Sequence, residues 1–456
     1  MFLAFLGRMM HGHRSMTAFY PFPCPVGIDG FNLALAKGTG IATYARVLSR
    51  NLKALGCTVD VLYGLNVAET TNTSLREVLF FDQLGHESHW RRGKFLRPRW
   101  LRETLRDVHG LTAVPVAVTE NVEKRIYHDR LPAFDRLLNI QGLFQRATDH
   151  FRRTGRMLRV HIPNPPPVMH WTYPLPIMVV GTRNVYTIHD VVPLRFPGTT
   201  LDNKSFHFKL LKRLCAEATA LCTVSEASRR DILSFFPEVE GRIFNTYQSL
   251  DSFPDLSIAR PLADEHEMKK KYGLAPGRYF LFCGSLEPKK NIDRLVQAFL
   301  AAGVSCQLVV IGAMAWKSEE ASQMIDYGVS IGRIVRLDYV SRATLDMLMA
   351  HARAVLFPSL TEGFGLPVLE AMALGTPVLT SREAALPEVT GEAAIHIDAY
   401  DLASIEEGIT RLDQDDALCA ALAAAGPRQA EFFNPARYQK RLADFYRAVL
   451  ELPGPA

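Results

Sequence analysis

Apolar residues along this chain fall into short continuous runs, broken by glycine, proline and polar turns, and into longer stretches where they recur at helical spacing. Short runs suit strands buried on both faces, and the longer spacing suits amphipathic helices. Their repeated strand, loop, helix order predicts an α/β protein built on parallel sheets. In the first half, 26–29 is an apolar entry. It is followed by a loop holding Gly38 and Gly40, a helix over 41–55 stopped by Gly56, and a strand over 58–63. After an irregular stretch come short strands over 168–172 and 185–188, the latter ending in His189 and Asp190. A helix over 203–217, a strand over 220–224 and a helix over 227–236 capped by the Ser225 hydroxyl complete this half. In the second half, a strand begins at Tyr279 and ends at Gly284, and Lys289 and Lys290 precede a helix over 292–301. Strands over 307–311, 334–337 and 354–357 and a helix over 343–350 follow. The polar, proline-containing segment 252–276 between the halves reads as the domain boundary. The last segment, 435–452, is an amphipathic helix with Tyr438, Leu442, Phe445, Tyr446 and Leu450 on one side.

The stretch 357–381 organises the rest. It reads FPSLTEGFGLPVLEAMALGTPVLTS: a strand end, a loop with Gly363, Gly365 and Pro367, a helix over 368–374 closed by Gly375, and a second short strand. Glu362 lies before the helix and Glu370 on it. The N–H groups of Phe364, Gly365 and Leu366 would open that helix, where unpaired donors and the helix dipole favour an anion. Glycine lets the backbone approach a ligand with no Cβ in the way. Ionised carboxylates accept several hydrogen bonds and suit sugar or ribose hydroxyls. On these residues alone, an ordinary crossover whose glycine loop only turns the chain is the competing reading.

Charge changes the picture in one respect. Residues 1–260 hold 33 Lys and Arg against 22 Asp and Glu, whereas residues 261–456 hold 19 against 25. The first half is therefore the one suited to an anionic partner. Its excess centres on the irregular 67–167, where HWRRGKFLRPRW interleaves arginine with Trp90, Phe95 and Trp100, and where Phe134, Leu137, Leu138, Leu143 and Phe144 follow at helical spacing. A solvated helical insert, attachment to an anionic bilayer surface, and nucleic-acid binding compete there, and no nucleic-acid motif accompanies the charge. The seven cysteines contain no C-x-x-C pair, which favours free thiols over disulfides or zinc. No run of 18 apolar residues reads as a membrane span. The opening MFLAFLGRMM lacks a small-residue cleavage site, and 1–24 is expected to be a disordered start.

The string EGFGLPVLEAMALGTPV resembles the donor-binding signature of the retaining glycosyltransferases of family four, a glutamate, seven residues and a second glutamate. GTGIATYARVLSRNLKALG, YTIHDVVPLRFP, CTVSEASRRDIL and GSLEPKKNI resemble the same family. Two departures stand out. Asn245-Thr246-Tyr247 replaces the usual asparagine-glycine turn, and Ser285 stands where an arginine is frequent. The resemblance implies the GT-B fold, two Rossmann-like domains facing a central crevice. An acceptor domain would span 25–260 (with 67–167 as a basic insert) and a nucleotide-sugar domain 277–434, and the helix 435–452 would cross back to the first. It implies a hexosyltransferase with no cofactor and no metal, since no Asp-x-Asp motif stands beside these elements. Lys290 would meet the leaving diphosphate, helped by Ser285, the 364–366 amides and the Gly38 and Gly40 loop. Glu370 would bind ribose, Glu362 and His189 the sugar, and Asp190 would lie on the acceptor side. HWTYPLPI and the HDVVPLRFP string resemble bacterial mannosyltransferases that build lipid-linked polysaccharide repeats. That favours GDP-mannose as donor, a lipid-linked acceptor and a cytoplasmic location. A UDP-glucose or UDP-GlcNAc transferase, a sugar-nucleotide epimerase and a non-catalytic binding protein are the alternatives.

Overall fold

The computed structural model describes residues 22–35, 40–68, 72–85, 110–119, 122–123, 127, 131–250, 262–313 and 319–454. Gly38, most of the 1–24 start, the Trp90, Phe95 and Trp100 segment and much of the 252–276 boundary lie outside them. Among the described residues the chain forms two large sheets, each sandwiched between helices. The first runs, in spatial order, Ile243–Asn245, Ala220–Thr223, Arg183–Thr187, Val168–Trp171, Val26–Asp29, Val59–Tyr63, Arg136–Asn139 and Val114–Val116. All its pairings are parallel except the last. The second runs Ile334–Leu337, Gln307–Ile311, Tyr279–Cys283, Ala354–Phe357, Val378–Ser381 and Ile395–Ile397, parallel throughout. A small third sheet joins Leu111–Thr112, Leu158–His161 and Ile177–Val179.

The central strands Val59–Tyr63, Val168–Trp171, Arg183–Thr187 and Tyr279–Cys283 are buried along their whole length, as parallel strands covered on both faces must be. In Val59–Tyr63, alternation sends Val59, Val61 and Tyr63 to one side and Leu62 to the other. The first side packs against the helix Gly40–Ala54 and the C-terminal helix Pro435–Glu451. The second packs against Leu143–Thr154 and Lys204–Glu217. The C-terminal helix therefore leaves the second sheet's domain and buries Tyr438, Leu442, Phe445 and Tyr446 in the core of the first. Polar bonds fix its register: Gln439 Nε2 donates to Asn51 Oδ1 at 3.0 Å, and Tyr446 Oη meets His170 Nδ1 at 2.6 Å.

The structure corrects the reading of 67–167 as an irregular insert. Residues 136–139 are not helical. They form a strand paired residue for residue with Asp60 to Tyr63, burying Leu137 and Leu138 on opposite faces. Two adjacent leucines buried on both sides of a short strand produce no periodicity, so the spacing imitated a helix. Leu143 and Phe144 do begin one, Leu143–Thr154, entered through Gly142 in the left-handed region (φ 64°). The asparagine-glycine departure is also resolved. Tyr247 itself takes a left-handed conformation (φ 59°), and Asn245 Oδ1 accepts its N–H at 2.8 Å. All seven cysteines are buried free thiols, and no helix of the described residues is long and apolar enough to cross a membrane.

Candidate active site

Because both sheets are parallel, their strands end together, and the loops leaving those ends carry the candidate residues. From the first sheet come Asp29, Thr172, His189 and Asp190; from the second, Gly284, Ser285 and Glu362. The two sets meet. A Cβ added to Gly363 would lie 2.5 Å from the His189 carbonyl oxygen and 3.4 Å from Asp190 Cβ.

Lys290 ends the turn Pro288–Lys290, which stands on Asn291 in a left-handed conformation (φ 59°). Asn291 Nδ2 ties the turn down by donating to the carbonyls of Pro358 (3.1 Å) and Ala399 (2.7 Å). Lys290 Nζ lies 2.6 Å from Glu362 Oε1 and 4.8 Å above the Phe357 ring. The two side chains are only 12% and 10% exposed, so each charge offsets the other's loss of water. Burial alone would push the Glu362 carboxyl up, but Lys290 and Lys289 outweigh it and hold it below the usual carboxylate range. Lys289 shows the converse balance. Burial opposes its charge, yet Glu362 and Asp190, one from each domain, together with Glu287 hold its ammonium above the usual lysine range. Two cations and a carboxylate are thus packed at the mouth of the second sheet, facing an aspartate of the first.

Glu370 lies on the helix Leu366–Ala373, whose N-cap Gly365 has φ 99° and presses so close to Leu386 that a Cβ would meet it at 2.8 Å. Phe364, Gly365 and Leu366 are the residues at the opening of this helix. Glu370 Oε1 accepts from Arg342 Nη1 at 2.6 Å, while Arg342 Nη2 reaches Asp346 at 2.8 Å. Burial raises the Glu370 carboxyl's pKa, and Arg342 offsets part of that rise. Arg342 escaped the sequence reading because no motif marks it and its partner is 28 positions away.

His189 Nε2 lies 2.9 Å from the Thr172 carbonyl, so that nitrogen carries the ring proton and Nδ1 is left as an acceptor. Burial depresses its pKa and keeps the ring neutral. Thr172 is held in turn by Asp29, whose Oδ2 accepts from both the Thr172 N–H and Oγ1, while its Oδ1 accepts from the Phe31 N–H. Burial pushes the Asp29 carboxyl up to about 6. Asp29 was also missed, although an aspartate closing the buried run VGID is a legible signal. Asp190 Oδ1 caps Val192 N–H at 3.1 Å. Ser285 Oγ donates to Glu287 at 2.9 Å and is exposed, away from the Lys290 and Glu362 pair's direct contacts. Gly40 opens the helix Gly40–Ala54, and a Cβ there would meet no atom of the described residues within 4 Å.

Residues 264–429 match the family described as glycosyl transferases group 1. The chain is similar to O-antigen chain mannosyltransferase B of Escherichia coli, 32% identical over 348 residues, which span 73% of this chain and 87% of that one. It is also similar to the GDP-mannose-dependent monoacylated alpha-(1-6)-phosphatidylinositol monomannoside mannosyltransferase of Corynebacterium glutamicum. That match is 28% identical over 237 residues, 48% of this chain and 60% of the other. Among solved structures, sucrose-phosphate synthase from Thermosynechococcus elongatus shares the fold with a TM-score of 0.61 at 16% identity, over 93% of this chain and 98% of that one. With its two facing parallel-sheet domains of the GT-B kind, the chain belongs to the group 1 glycosyl transferases and is related to the bacterial O-antigen mannosyltransferases.

Proposed function

We propose that this glycosyltransferase moves an α-mannosyl group from GDP-mannose to a lipid-linked oligosaccharide, with retention of configuration and without a metal, as a member of family four. The observation that carries the reading is the buried Lys290 and Glu362 pair at the sheet mouth, with Lys289 between Glu362 and Asp190. A nucleotide sugar lying along the crevice would bring its diphosphate to Lys290 and to the amides at the opening of Leu366–Ala373. Its ribose would reach Glu370, steadied by Arg342, and its sugar would meet Glu362 and the His189 acceptor nitrogen. As the anomeric carbon–oxygen bond breaks, charge grows on the departing phosphate, where a fixed cation in a dry site is most effective. The acceptor hydroxyl bonds to the anomeric carbon from the same face and passes its proton to that phosphate. Neutral His189 is not the base in this scheme. The mannosyl donor is supported by the relatives' names.

The test is a panel of nucleotide sugars, with and without EDTA, followed by proton NMR of the product's anomeric centre. Transfer from GDP-mannose that survives EDTA and yields an α-linkage is expected. A β-linkage overturns retention, activity only with UDP-sugars reassigns the donor, and interconversion of nucleotide sugars without an acceptor makes the protein an epimerase.

The lipid-linked acceptor also asks for a surface that rests on an anionic bilayer. Arg152, Arg153, Arg156 and Arg159 are exposed on and just after the helix Leu143–Thr154, beside the exposed Lys209, Lys212 and Phe208 of Lys204–Glu217. Arg152 stacks on Phe206, which joins the two helices. Flotation with anionic vesicles should occur at low salt and be lost near 1 M, where screening shortens to about 3 Å. No flotation at low salt would remove the membrane from this reading.

A further inference from the structure

The helix Glu226–Phe235 of the first domain, with its N-cap Ser225, receives the glycine loop of the second through hydrogen bonds that reach across the crevice. Ser225 Oγ donates to the Gly363 carbonyl at 2.7 Å and accepts the Ser228 N–H at 3.0 Å. Ser228 Oγ donates to the His189 carbonyl at 2.7 Å and lies 3.2 Å from the same Gly363 oxygen. From the second domain, Glu388 sets one carboxylate oxygen on the Glu226 N–H (2.8 Å) and the other on the Ala227 N–H (3.1 Å). These amides open a helix and have no partner within it, so a carboxylate of one domain caps a helix of the other. Gly363 is required here by close approach, because any Cβ would strike the His189 carbonyl.

We propose that Glu388, Ser225, Ser228 and Gly363 form a closure latch that positions the donor loop for transfer. This rests on the crevice being the donor site. The Gly363 carbonyl and the Phe364 N–H belong to one planar trans peptide, so they point in opposite directions. Anchoring the carbonyl to the two serines of the first domain aims the Phe364 N–H away from them, toward the opening of Leu366–Ala373. A hydrogen bond to the carbonyl also polarises the amide and strengthens the N–H as a donor. The amide assigned to the phosphate is therefore aimed and strengthened only when the domains meet at this seat. Glu388 supplies the charge-assisted part of that meeting. Closure and the electrostatic readiness of the site become one event.

The test compares Glu388→Ala, Glu388→Gln and Gly363→Ala with the wild type by four measurements: kcat, calorimetric affinity for GDP and UDP, melting temperature, and solution scattering with saturating nucleotide. Glu388→Ala should lower kcat by about tenfold to a hundredfold, the size expected when a reacting geometry slips by around an ångström. Nucleotide affinity should hardly change, since Lys290 and Glu370 stay in place, and scattering should show a larger radius of gyration. Glu388→Gln keeps one acceptor oxygen and should recover part of the rate. Gly363→Ala should match Glu388→Ala in scattering. Unaltered scattering and kcat in Glu388→Ala would overturn the latch, as would affinity falling in step with kcat. Should the wild type transfer no sugar at all, the donor reading fails while the scattering comparison still decides the latch.

Discussion

Lys290→Ala should cut kcat by about a hundredfold to a thousandfold, the loss typical of removing one fixed donor from a developing oxyanion. The ammonium sits 2.6 Å from Glu362 in a site that excludes most water, so its field is little screened. The charge it meets is largest in the transition state, which is why kcat should fall more than the affinity for the bound sugar. A second consequence follows for Glu362. Its carboxyl is held below the usual range by Lys290 and Lys289 against burial, so its ionised form contributes stability at neutral pH that is lost as pH falls through its lowered pKa. Without Lys290 that contribution shrinks, and breaking a buried pair costs about 3–5 kcal/mol where no second cation stands by. Lys289 does stand by, so the melting temperature should fall less than that figure implies while kcat still collapses. Steady-state kinetics and thermal melts on the same preparation separate the two effects. Near-native turnover would make Lys290 a structural partner of Glu362 and remove the diphosphate from this corner.

The legible parts of the molecule are those written contiguously in the chain. The helix Ile292–Ala301 and the strands Gln307–Ile311 and Ile334–Leu337 have the bounds their apolar patterns predict, because each shows a full period between turn residues. The glycine loop, with its two glutamates, is one unbroken string and was visible as such. Arg136–Asn139 was not, since Leu137 and Leu138, buried on opposite faces of a four-residue strand, carry no period. The pairings that give the site its electrostatics were equally hidden. Lys290 finds Glu362 across 72 positions, Arg342 finds Glu370 across 28, Asp29 finds Thr172 across 143, and Glu388 finds the Glu226 N–H across 162. Each depends on where parallel strands end in space, and no local pattern encodes that. Gly363 makes the point most sharply: the string suggested glycine for a ligand's approach, whereas the atom nearest its missing Cβ is a carbonyl of the other domain.

Replacing His170 with glutamine should make stability rise, relative to the wild type, as the pH falls. His170 is fully buried in the strand Val168–Trp171, with Nδ1 2.6 Å from Tyr446 Oη and Nε2 2.7 Å from Thr187 Oγ1. Burial, aided by nearby His189, pushes its pKa down to about 3 from an ordinary 6.5. Below pH 6.5 the unfolded chain takes up a proton that the folded chain refuses. Stability is therefore fully present above 6.5 and drains away as pH falls toward 3, by about 1.4 kcal/mol per unit and up to roughly 5 kcal/mol over the window. Asp29 works in the opposite sense. Its folded pKa of about 6 lies above the ordinary 3.8, so the folded state binds the proton more tightly. Acidification through that range returns roughly 3 kcal/mol. In the wild type the two nearly cancel between pH 6 and 4, and His170→Gln leaves Asp29 unopposed. Urea midpoints at pH 7, 5 and 4 should show the variant weaker than wild type at neutrality and gaining on it by about one proton's slope as the acid increases. A difference independent of pH would mean His170 titrates normally and the buried bonds to Tyr446 and Thr187 are not as drawn. The consequence reaches the crevice through the C-terminal helix. Tyr446 anchors that helix to the first sheet, and Phe433, just before it, packs edge-on against Phe364 of the glycine loop at 5.4 Å. Acid near pH 3, where folded His170 begins to take a proton, should therefore loosen the helix and the donor loop together, and wild-type activity should fall there more steeply than that of His170→Gln.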